Sequence, residues 1–251
     1  MVEFSVRPMH AHSQSRDKFS KSIRASIDNA LRLREETYDL EFRTPCATRY
    51  FLLIIAQEEA AKAFLLYLIR EGLVPLTSAV RRAINDHACK HLVGMIMDYM
   101  IMHWENVEEL KAIIDRDIEL GNQLPNDVGS ALQILRYEKI GRWTANNWSW
   151  AEDPEYDREA LRLAEGQRDR RKQDALYIRL GKTGELASTP AAITASEVET
   201  ELERTSRYIY FAEALMTTEQ RHAFNKDRFA KIMTVLKLLF DTIKGPISIA
   251  P

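Results

Sequence analysis

One long helical segment in the first third of the chain limits the folds that this sequence can adopt. From Thr44 to Gly72 it reads TPCATRYFLLIIAQEEAAKAFLLYLIREG, and between Phe51 and Ala56 it is apolar nearly all round a helix. A helix that is apolar on every side has to be surrounded by other elements. We therefore expect this helix to begin near Thr44 and Pro45, to end at Gly72 and to lie at the centre of the molecule.

The remaining segments predict further helices and almost no strand. Apolar residues recur near a 3.6-residue period, with charged residues between them, in most of the chain outside its loops. These predicted helices span about 16–40, 78–102, 104–120, 125–140, 155–176, 194–215 and 224–243. Thr194 and Glu197 form a capping-box sequence, which predicts the start of one of them. Only residues 177–180 look extended, so the predicted fold class is all-α.

Length and composition fit an ordinary globular protein. The chain has 251 residues, of which 45% are hydrophobic and 29% charged, and this is enough for one sizeable core. We expect a flexible arm over residues 1–15 and a single helical domain over residues 16–251. The net charge of −2 argues neither for nor against a nucleic-acid partner.

The sequence favours a cytoplasmic protein without a membrane span. The first residues lack the apolar run of a signal peptide, and the longest apolar runs fall far short of the roughly 18 residues that a span needs. Cys46 and Cys89 lie in apolar helical patterns, which suits two buried thiols in a reducing compartment. No cysteine or histidine cluster has the spacing of a zinc site.

Two other stretches allow two interpretations each. Residues 141–154 read GRWTANNWSWAEDP and hold three of the four tryptophans. We expect a loop insertion whose tryptophans pack onto the body of the protein, although they could instead stack on bases. The basic run from Arg168 to Lys172 either complements the dipole of a helix end or forms an RNA-contacting patch.

Charged residues interrupt the central helix at Glu58, Glu59 and Lys62. Glu58 and Lys62 are four residues apart, so they can pair on one helix face. Because the helix is otherwise apolar, we expect these charges to be buried and to need partners. The next predicted helix offers such partners, namely Arg81, Arg82, His87 and Lys90. The set is either a structural ion network or a functional cleft.

Arg82 and His87 have four residues between them, and Arg81 and His87 have five. Arginine can hold a phosphate through two parallel hydrogen bonds, and histidine can transfer a proton near neutral pH. Together they could cleave RNA without a metal. Arg7 and His12 have the same spacing in the predicted arm, so the pattern gains its weight only from its position after the two glutamates.

The sequence predicts no metal and no cofactor. A di-iron helical bundle uses two Glu-x-x-His pairs, and the single one here, Glu219 to His222, lies in a polar stretch between two helices. The chain also has no Walker loop, no GxGxxG and no GxSxG sequence.

Two separated segments resemble the AbiV-type abortive-infection proteins. The first is AQEEAAKAFLLYL followed by DHACKH, which is similar to the family's Glu-Glu-x-x-Lys and His-x-x-Lys pattern. In this chain the pattern falls on Glu58, Glu59, Lys62, His87 and Lys90. The second segment spans residues 172–215 and resembles a later block of the family, with a helix end, an extended piece, a glycine turn and a Thr-capped helix.

The resemblance implies a HEPN superfamily fold, an antiparallel helical bundle here extended by further C-terminal helices. It also implies a bacterial antiviral effector that acts on RNA, such as tRNA or mRNA, as a metal-independent endoribonuclease or by blocking translation. The implied catalytic residues are Arg82 and His87, with Glu58 or Glu59 orienting them. The residues expected to bind the substrate are Lys62, Arg81, Lys90 and His91.

The resemblance further implies a homodimer and an antitoxin or phage protein as a partner. Some HEPN domains are non-catalytic, so the alternative function is a helical interaction module that binds a protein or a nucleotide. The exposure of Arg82 and His87 should distinguish the two, because a nuclease needs them in an open groove.

Overall fold

The computed structural model of the protein describes residues 9–120, 124–141, 155–220 and 226–240. In these ranges the chain forms ten α-helices and one two-stranded hairpin, which confirms the all-α prediction. The helices are α1 (Met9–Glu36), α2 (Ala47–Arg70), α3 (Ser78–Asn85), α4 (His87–Met102), α5 (Val107–Leu120), α6 (Asn126–Gln133, continued by the π-helical turn Ile134–Ile140), α7 (Arg158–Ala164), α8 (Gln167–Asp174), α9 (Ala195–Gln220) and α10 (Lys226–Phe240). The strands are β1 (Arg179–Leu180) and β2 (Leu186–Ser188).

Helix α2 lies at the centre of the molecule, as its apolar sequence predicts. It packs against α1, α3, α4, α8 and α9, and most of its side chains are buried. Its end also follows the prediction, because Gly72 adopts a positive φ of 71° after the last turn. The N–H of Leu73 then donates to the carbonyl of Leu68 at 2.9 Å, a bond typical of glycine-terminated helices.

Contacts at the helix ends fix the directions of the neighbours of α2. Arg16, near the start of α1, donates to Glu71 just after the end of α2, so these two helices are antiparallel. Arg49, at the start of α2, pairs with Glu199 at the start of α9 at 3.1 Å, so these two run in the same direction. Such a bundle buries the apolar stripe of each helix against α2.

Aromatic side chains fill the core between α2, α9 and α10. Phe64 of α2 meets Phe211 at a centroid distance of 5.4 Å and Phe240 at 5.7 Å, both edge to face. Trp104 packs against the other side of Phe211 at 5.2 Å. Each such pair adds about 0.5–1.5 kcal/mol beyond its buried area. The C-terminal helices are therefore built into the same core as α2.

The prediction of a single helix over residues 78–102 is wrong in one respect. The structure divides this segment into α3 and α4 at Asp86. Asp86 is extended, with φ −79° and ψ 127°, and its carboxylate accepts a hydrogen bond from the N–H of Cys89 at 2.8 Å. It is thus the N-cap of a new helix. Thr77 caps α3 in the same way by accepting from the N–H of Val80.

The charged segment 155–176 also forms two helices rather than one. Gly166, with φ 78°, separates α7 from α8. The extended residues after α8 pair with a second strand, β2, which the sequence did not reveal because it is only three residues long. The capping box is confirmed: Thr194 Oγ1 accepts from the N–H of Glu197 at 3.2 Å, and Glu197 Oε2 accepts from the N–H of Thr194 at 2.8 Å.

Other expectations shift or fall outside the described residues. Helix α1 begins at Met9, so residues 9–15 of the expected flexible arm are helical, and residues 1–8 lie outside the described part. Residues 142–154 of the tryptophan-rich insertion and His222 lie outside it as well. Thr44 is not the N-cap of α2, since the helix starts at Ala47.

The structure bears on the membrane and thiol predictions too. Among the described residues, no helix combines the length and apolarity that crossing a membrane requires. Cys89 is buried, and burial raises the pKa of its thiol well above the usual value. Cys46 differs from the expectation of a buried helical residue, because it is half-buried at the position just before α2.

A close contact at Gly94 joins α4 to α9. The hydroxyl of Tyr208 lies 2.6 Å from the carbonyl oxygen of Gly94 and 2.9 Å from Oδ2 of Asp98. Burial raises the pKa of both Tyr208 and Asp98, so the phenol stays neutral as a donor. A Cβ at residue 94 would lie 2.9 Å from the hydroxyl, which leaves no room for a side chain.

We therefore predict that Gly94→Ala lowers the free energy of unfolding by about 1–3 kcal/mol, because the added methyl group must displace Tyr208. Urea denaturation followed by circular dichroism would measure the change. Gly129→Ala is the matched control, since its Cβ meets nothing within 4 Å and alanine is the better helix former. A loss in the control as large as that in Gly94→Ala would contradict the contact argument.

Candidate functional site

A single buried carboxylate, Glu58 of α2, lies at the centre of the candidate site. Its side chain is only 2% exposed. Oε2 accepts hydrogen bonds from His87 Nδ1 at 2.6 Å and from Lys90 Nζ at 3.0 Å. Oε1 accepts from Lys172 Nζ at 2.7 Å and lies 3.4 Å from His91 Nε2. Two helices, α4 and α8, therefore present nitrogen atoms to this one carboxylate.

The start of α4 places three of these partners. His87 is the first residue of the helix, and Lys90 and His91 follow one turn later on the face towards α2. This register follows from the cap at Asp86, which starts a new helix at His87. His87 remains 47% exposed, whereas Lys90 and His91 are buried. Most of the site is thus buried, and one residue, His87, reaches the surface.

Helix α8 supplies two residues that the sequence reasoning did not place in the site. Lys172 donates to Glu58, and its Nζ also lies 2.7 Å from Oδ1 of Asp169 and 3.2 Å from His87 Nδ1. The sequence showed Lys172 only as the end of a basic run and as the start of the second family-like segment. Nothing in the local pattern indicated that α8 packs against α2, more than a hundred residues earlier in the chain.

The charges of the site balance. Two carboxylates, Glu58 and Asp169, face two ammonium groups, Lys90 and Lys172, within ordinary ion-pair distances. A buried charge is tolerated only when it is paired and hydrogen-bonded in this way. The expectation that the central helix carries buried charges with partners on the next helix is therefore met by Glu58.

The same geometry fixes the protonation of the His87 ring. A separation of 2.6 Å between Nδ1 and Oε2 requires a proton between them, because two lone pairs would repel. Since Lys90 and Lys172 also donate to this carboxylate, we assign the proton to Nδ1, as a donor to Oε2. Nε2 then carries the lone pair, and it makes no hydrogen bond to any residue of the described ranges. His87 is thus held with its basic nitrogen available.

His91 is a different kind of histidine. It is buried, and its Nε2 finds no acceptor with hydrogen-bond geometry in the described part of the chain, although Glu58 Oε1 is 3.4 Å away. Burial, followed by the charges of Arg168 and Lys172, lowers the pKa of His91 from 6.5 to about 2. His91 is therefore a neutral residue of the interior in the folded protein.

The other predicted site residues lie outside this network. Arg81 and Arg82 are exposed on α3, because Ala79, Val80, Ala83 and Ile84 take its inward face. The guanidinium group of neither arginine makes an ion pair or a hydrogen bond to another described residue, and Arg81 is contacted only through its backbone carbonyl, by Asn85 Nδ2 at 3.0 Å. Lys62 pairs with Glu59 at 3.1 Å and not with Glu58, so the i,i+4 pair that the spacing allows is not formed. Glu58 instead turns towards α4 and α8.

One group of potential metal ligands coincides with the network. Oxygen and nitrogen atoms of Glu58, His87 and Asp169 lie within 4.8 Å of one another. Lys172 Nζ, however, is within 3.2 Å of all three side chains. A metal ion would have to displace this ammonium group, which already supplies the positive charge. The donor set therefore fits a resident lysine better than a divalent cation.

We predict that Glu58→Gln lowers the free energy of unfolding by about 3–5 kcal/mol, because the amide leaves the buried Lys90 without a counter-charge and Lys172 with Asp169 alone. Urea denaturation would measure the loss. Glu59→Gln is the matched control: the Glu59–Lys62 pair is partly exposed, so its removal should cost no more than about 1 kcal/mol. Equal losses of unfolding free energy in the two variants would show that the buried Glu58 stabilises the fold no more than the partly exposed Glu59 does.

A second prediction concerns the stability of the folded protein at low pH. The folded state keeps His91 neutral down to about pH 2, while the unfolded state binds a proton below about pH 6.5. Stability is therefore present above pH 6.5 and is lost as the pH falls from 6.5 towards 2, at about 1.4 kcal/mol per pH unit. Between pH 7 and pH 5, the wild type should lose about 2 kcal/mol more than His91→Gln. Parallel stability curves for the two proteins would contradict this assignment.

Comparison with known proteins identifies the family of the chain. No curated protein and no solved structure matches the chain. The sequence model of the HEPN AbiV family, described as AbiV, matches residues 18–210. That range is well over half of the sequence and holds every residue of the Glu58 network, from α2 through α4 to α8. The chain therefore belongs to the AbiV family of HEPN proteins.

Proposed function

We propose that this AbiV-family protein is an antiviral effector that cleaves RNA without a metal, with His87 as the proton-transfer group. The observation that carries the proposal is the pairing of a half-exposed histidine with a buried carboxylate, His87 Nδ1 to Glu58 Oε2 at 2.6 Å. A carboxylate that holds one ring nitrogen fixes the orientation and tautomer of the ring and stabilises the imidazolium that forms during catalysis.

In the proposed reaction, Nε2 of His87 removes the proton from a ribose 2′-hydroxyl. The 2′-oxygen attacks the adjacent phosphorus, the bond from phosphorus to the 5′-oxygen breaks, and a 2′,3′-cyclic phosphate forms. The leaving 5′-oxygen takes a proton from the imidazolium or from water. The positive charge that forms on His87 lies next to the carboxylate of Glu58, which is therefore the main group that stabilises it.

Arg81 and Arg82 are the candidates for holding the phosphate. Both are exposed on the outer face of α3, and that helix ends immediately before the cap of α4 at Asp86. Neither is occupied by a carboxylate of the described chain, so their guanidinium groups are available to phosphoryl oxygens. Exposure of Arg82 and His87 supports a nuclease over a sealed scaffold, by the criterion set out from the sequence.

The burial of Lys90, His91 and Lys172 favours a structural role for that part of the network. This observation supports the second candidate function, a non-catalytic module in which the ion network only joins α2, α4 and α8. The homodimer and the antitoxin or phage-protein partners remain predictions of the family resemblance, and the cytoplasmic location remains a prediction from the sequence.

We predict that purified protein cleaves bacterial RNA or tRNA in EDTA and that His87→Ala lowers the rate by at least about 100-fold, the usual contribution of a general acid–base group. His103→Ala is the matched control, because His103 packs against Tyr99 and lies outside the network. The rate is measured from gel-resolved fragments, whose ends should carry cyclic phosphate. The same assay with Arg81→Ala and Arg82→Ala identifies the phosphate-binding arginine.

Unchanged cleavage by His87→Ala would contradict the assigned role. If neither the wild type nor any variant cleaves RNA, while phage protection still depends on the protein, the interaction module becomes the better account.

A further inference from the structure

We propose that a second site, a cleft lined by six arginines between α7, α8 and α9, binds the phosphate groups of a nucleic acid strand or a nucleotide. The cleft has a volume of about 500 Å³. We call it the arginine cleft, after Arg162, Arg168, Arg170, Arg171, Arg179 and Arg204. It is distinct from the Glu58 network and from α3, which carries Arg81 and Arg82.

The charge of the arginine cleft sets it apart from the rest of the molecule. Six arginines line it, against the carboxylates of Glu159, Asp174 and Glu201, which gives a lining charge of +3. The whole chain, by contrast, carries a net charge of −2. Two carboxylates just outside the lining, Glu197 and Asp98, contact Arg171 and Arg204 and reduce this excess without removing it. Positive charge concentrated in a concave surface attracts anionic ligands.

Several arginine donors in the cleft lack acceptors. The Nε atoms of Arg168 and Arg204 are buried and make no hydrogen bond to any described residue, although each side chain also contacts Glu201. Arg170 is exposed and has no ion-pair partner within the described ranges. The exposed guanidinium of Arg170 is thus available to a ligand that supplies oxygen atoms.

The backbone adds to this preference. Gln167 and Arg168, the first residues of α8, line the cleft, and the residue before them, Gly166, has no side chain to cap the helix. The first N–H groups of α8 and the positive end of its dipole therefore lie beside the arginines. Phosphate, with its several acceptor oxygens and negative charge, is the chemical group that satisfies these donors together.

Helix α8 also connects the cleft to the candidate catalytic site. Lys172 and Asp169 face Glu58, whereas Arg168 and Arg171, within one turn of them, face the cleft. An RNA strand whose reacting phosphate lies at His87 could therefore continue into the arginine cleft. The binding proposed here does not require cleavage, and it can be tested with an RNA that cannot be cleaved.

The test measures binding of a fluorescent 2′-O-methyl RNA of about eight nucleotides, which lacks the reactive hydroxyl, by anisotropy. The double variant Arg162→Ala/Arg170→Ala removes two exposed arginines of the cleft. It should weaken binding by about tenfold or more and flatten its dependence on salt between about 50 and 200 mM. Arg116→Ala is the matched control, an exposed arginine of α5 that lines no part of the cleft, and should bind as the wild type does.

A nucleoside triphosphate and inorganic pyrophosphate are tested as competitors of the RNA probe. The triphosphate is compared with an unlabelled RNA at equal phosphate concentration. If the triphosphate displaces the probe and the RNA does not, the ligand is a nucleotide. Affinity that rises with RNA length would identify a strand. Either result supports the phosphate site. Wild-type affinity in the double variant, or no binding of any phosphate ligand by folded wild type, would overturn the proposal, and neither result depends on whether His87→Ala loses cleavage.

Discussion

The carboxylate of Glu58 lies on a helix that is buried on nearly every side, and a charge in that position is stable only if cations reach it from other elements. Lys90 reaches it from α4 and Lys172 from α8, at 3.0 and 2.7 Å. These two contacts hold the rotation of α4 and the placement of α8 relative to α2. Without the anion, Lys90 would have no counter-charge among the described residues, and Lys172 would keep only Asp169.

This constraint also determines what the surface of the site can do. The lysines and His91 are enclosed with Glu58, so the only member of the network that is largely exposed is His87. Its ring is held on one side by the carboxylate and is open to solvent over nearly half of the side chain. Rigid support behind one accessible proton-transfer group is the arrangement that acid–base catalysis needs. The exposed arginines of α3 and the arginine cleft add phosphate-binding capacity on two sides of it.

Much of the architecture follows from local sequence patterns. The all-round apolar helix, its glycine stop, the Thr77 cap and the Thr194 capping box were all predictable, because each depends on residues within one or two turns. The division of α3 from α4 was harder to see, since Asp86 is an ordinary helix-surface residue by periodicity. Its capping role depends on an extended backbone that tertiary packing selects.

The site itself was only partly predictable, for a physical reason. Spacing indicated Glu58, His87 and Lys90, but it paired Lys62 with the wrong glutamate, because i,i+3 and i,i+4 partners are equally close on a helix. Lys172 could not be placed at all, because its contact with Glu58 joins segments 114 residues apart. Local patterns contain no information on which distant helix will cover a buried charge.

The most direct test of this account is the tautomer of His87, read from the imidazole nitrogen chemical shifts of protein labelled with nitrogen-15 histidine. The account predicts that at neutral pH Nδ1 carries the proton and that Glu58→Gln, in a variant confirmed to be folded, abolishes this preference. A proton on Nε2 in the wild type, or a tautomer unchanged by Glu58→Gln, would show that the buried carboxylate does not hold the histidine.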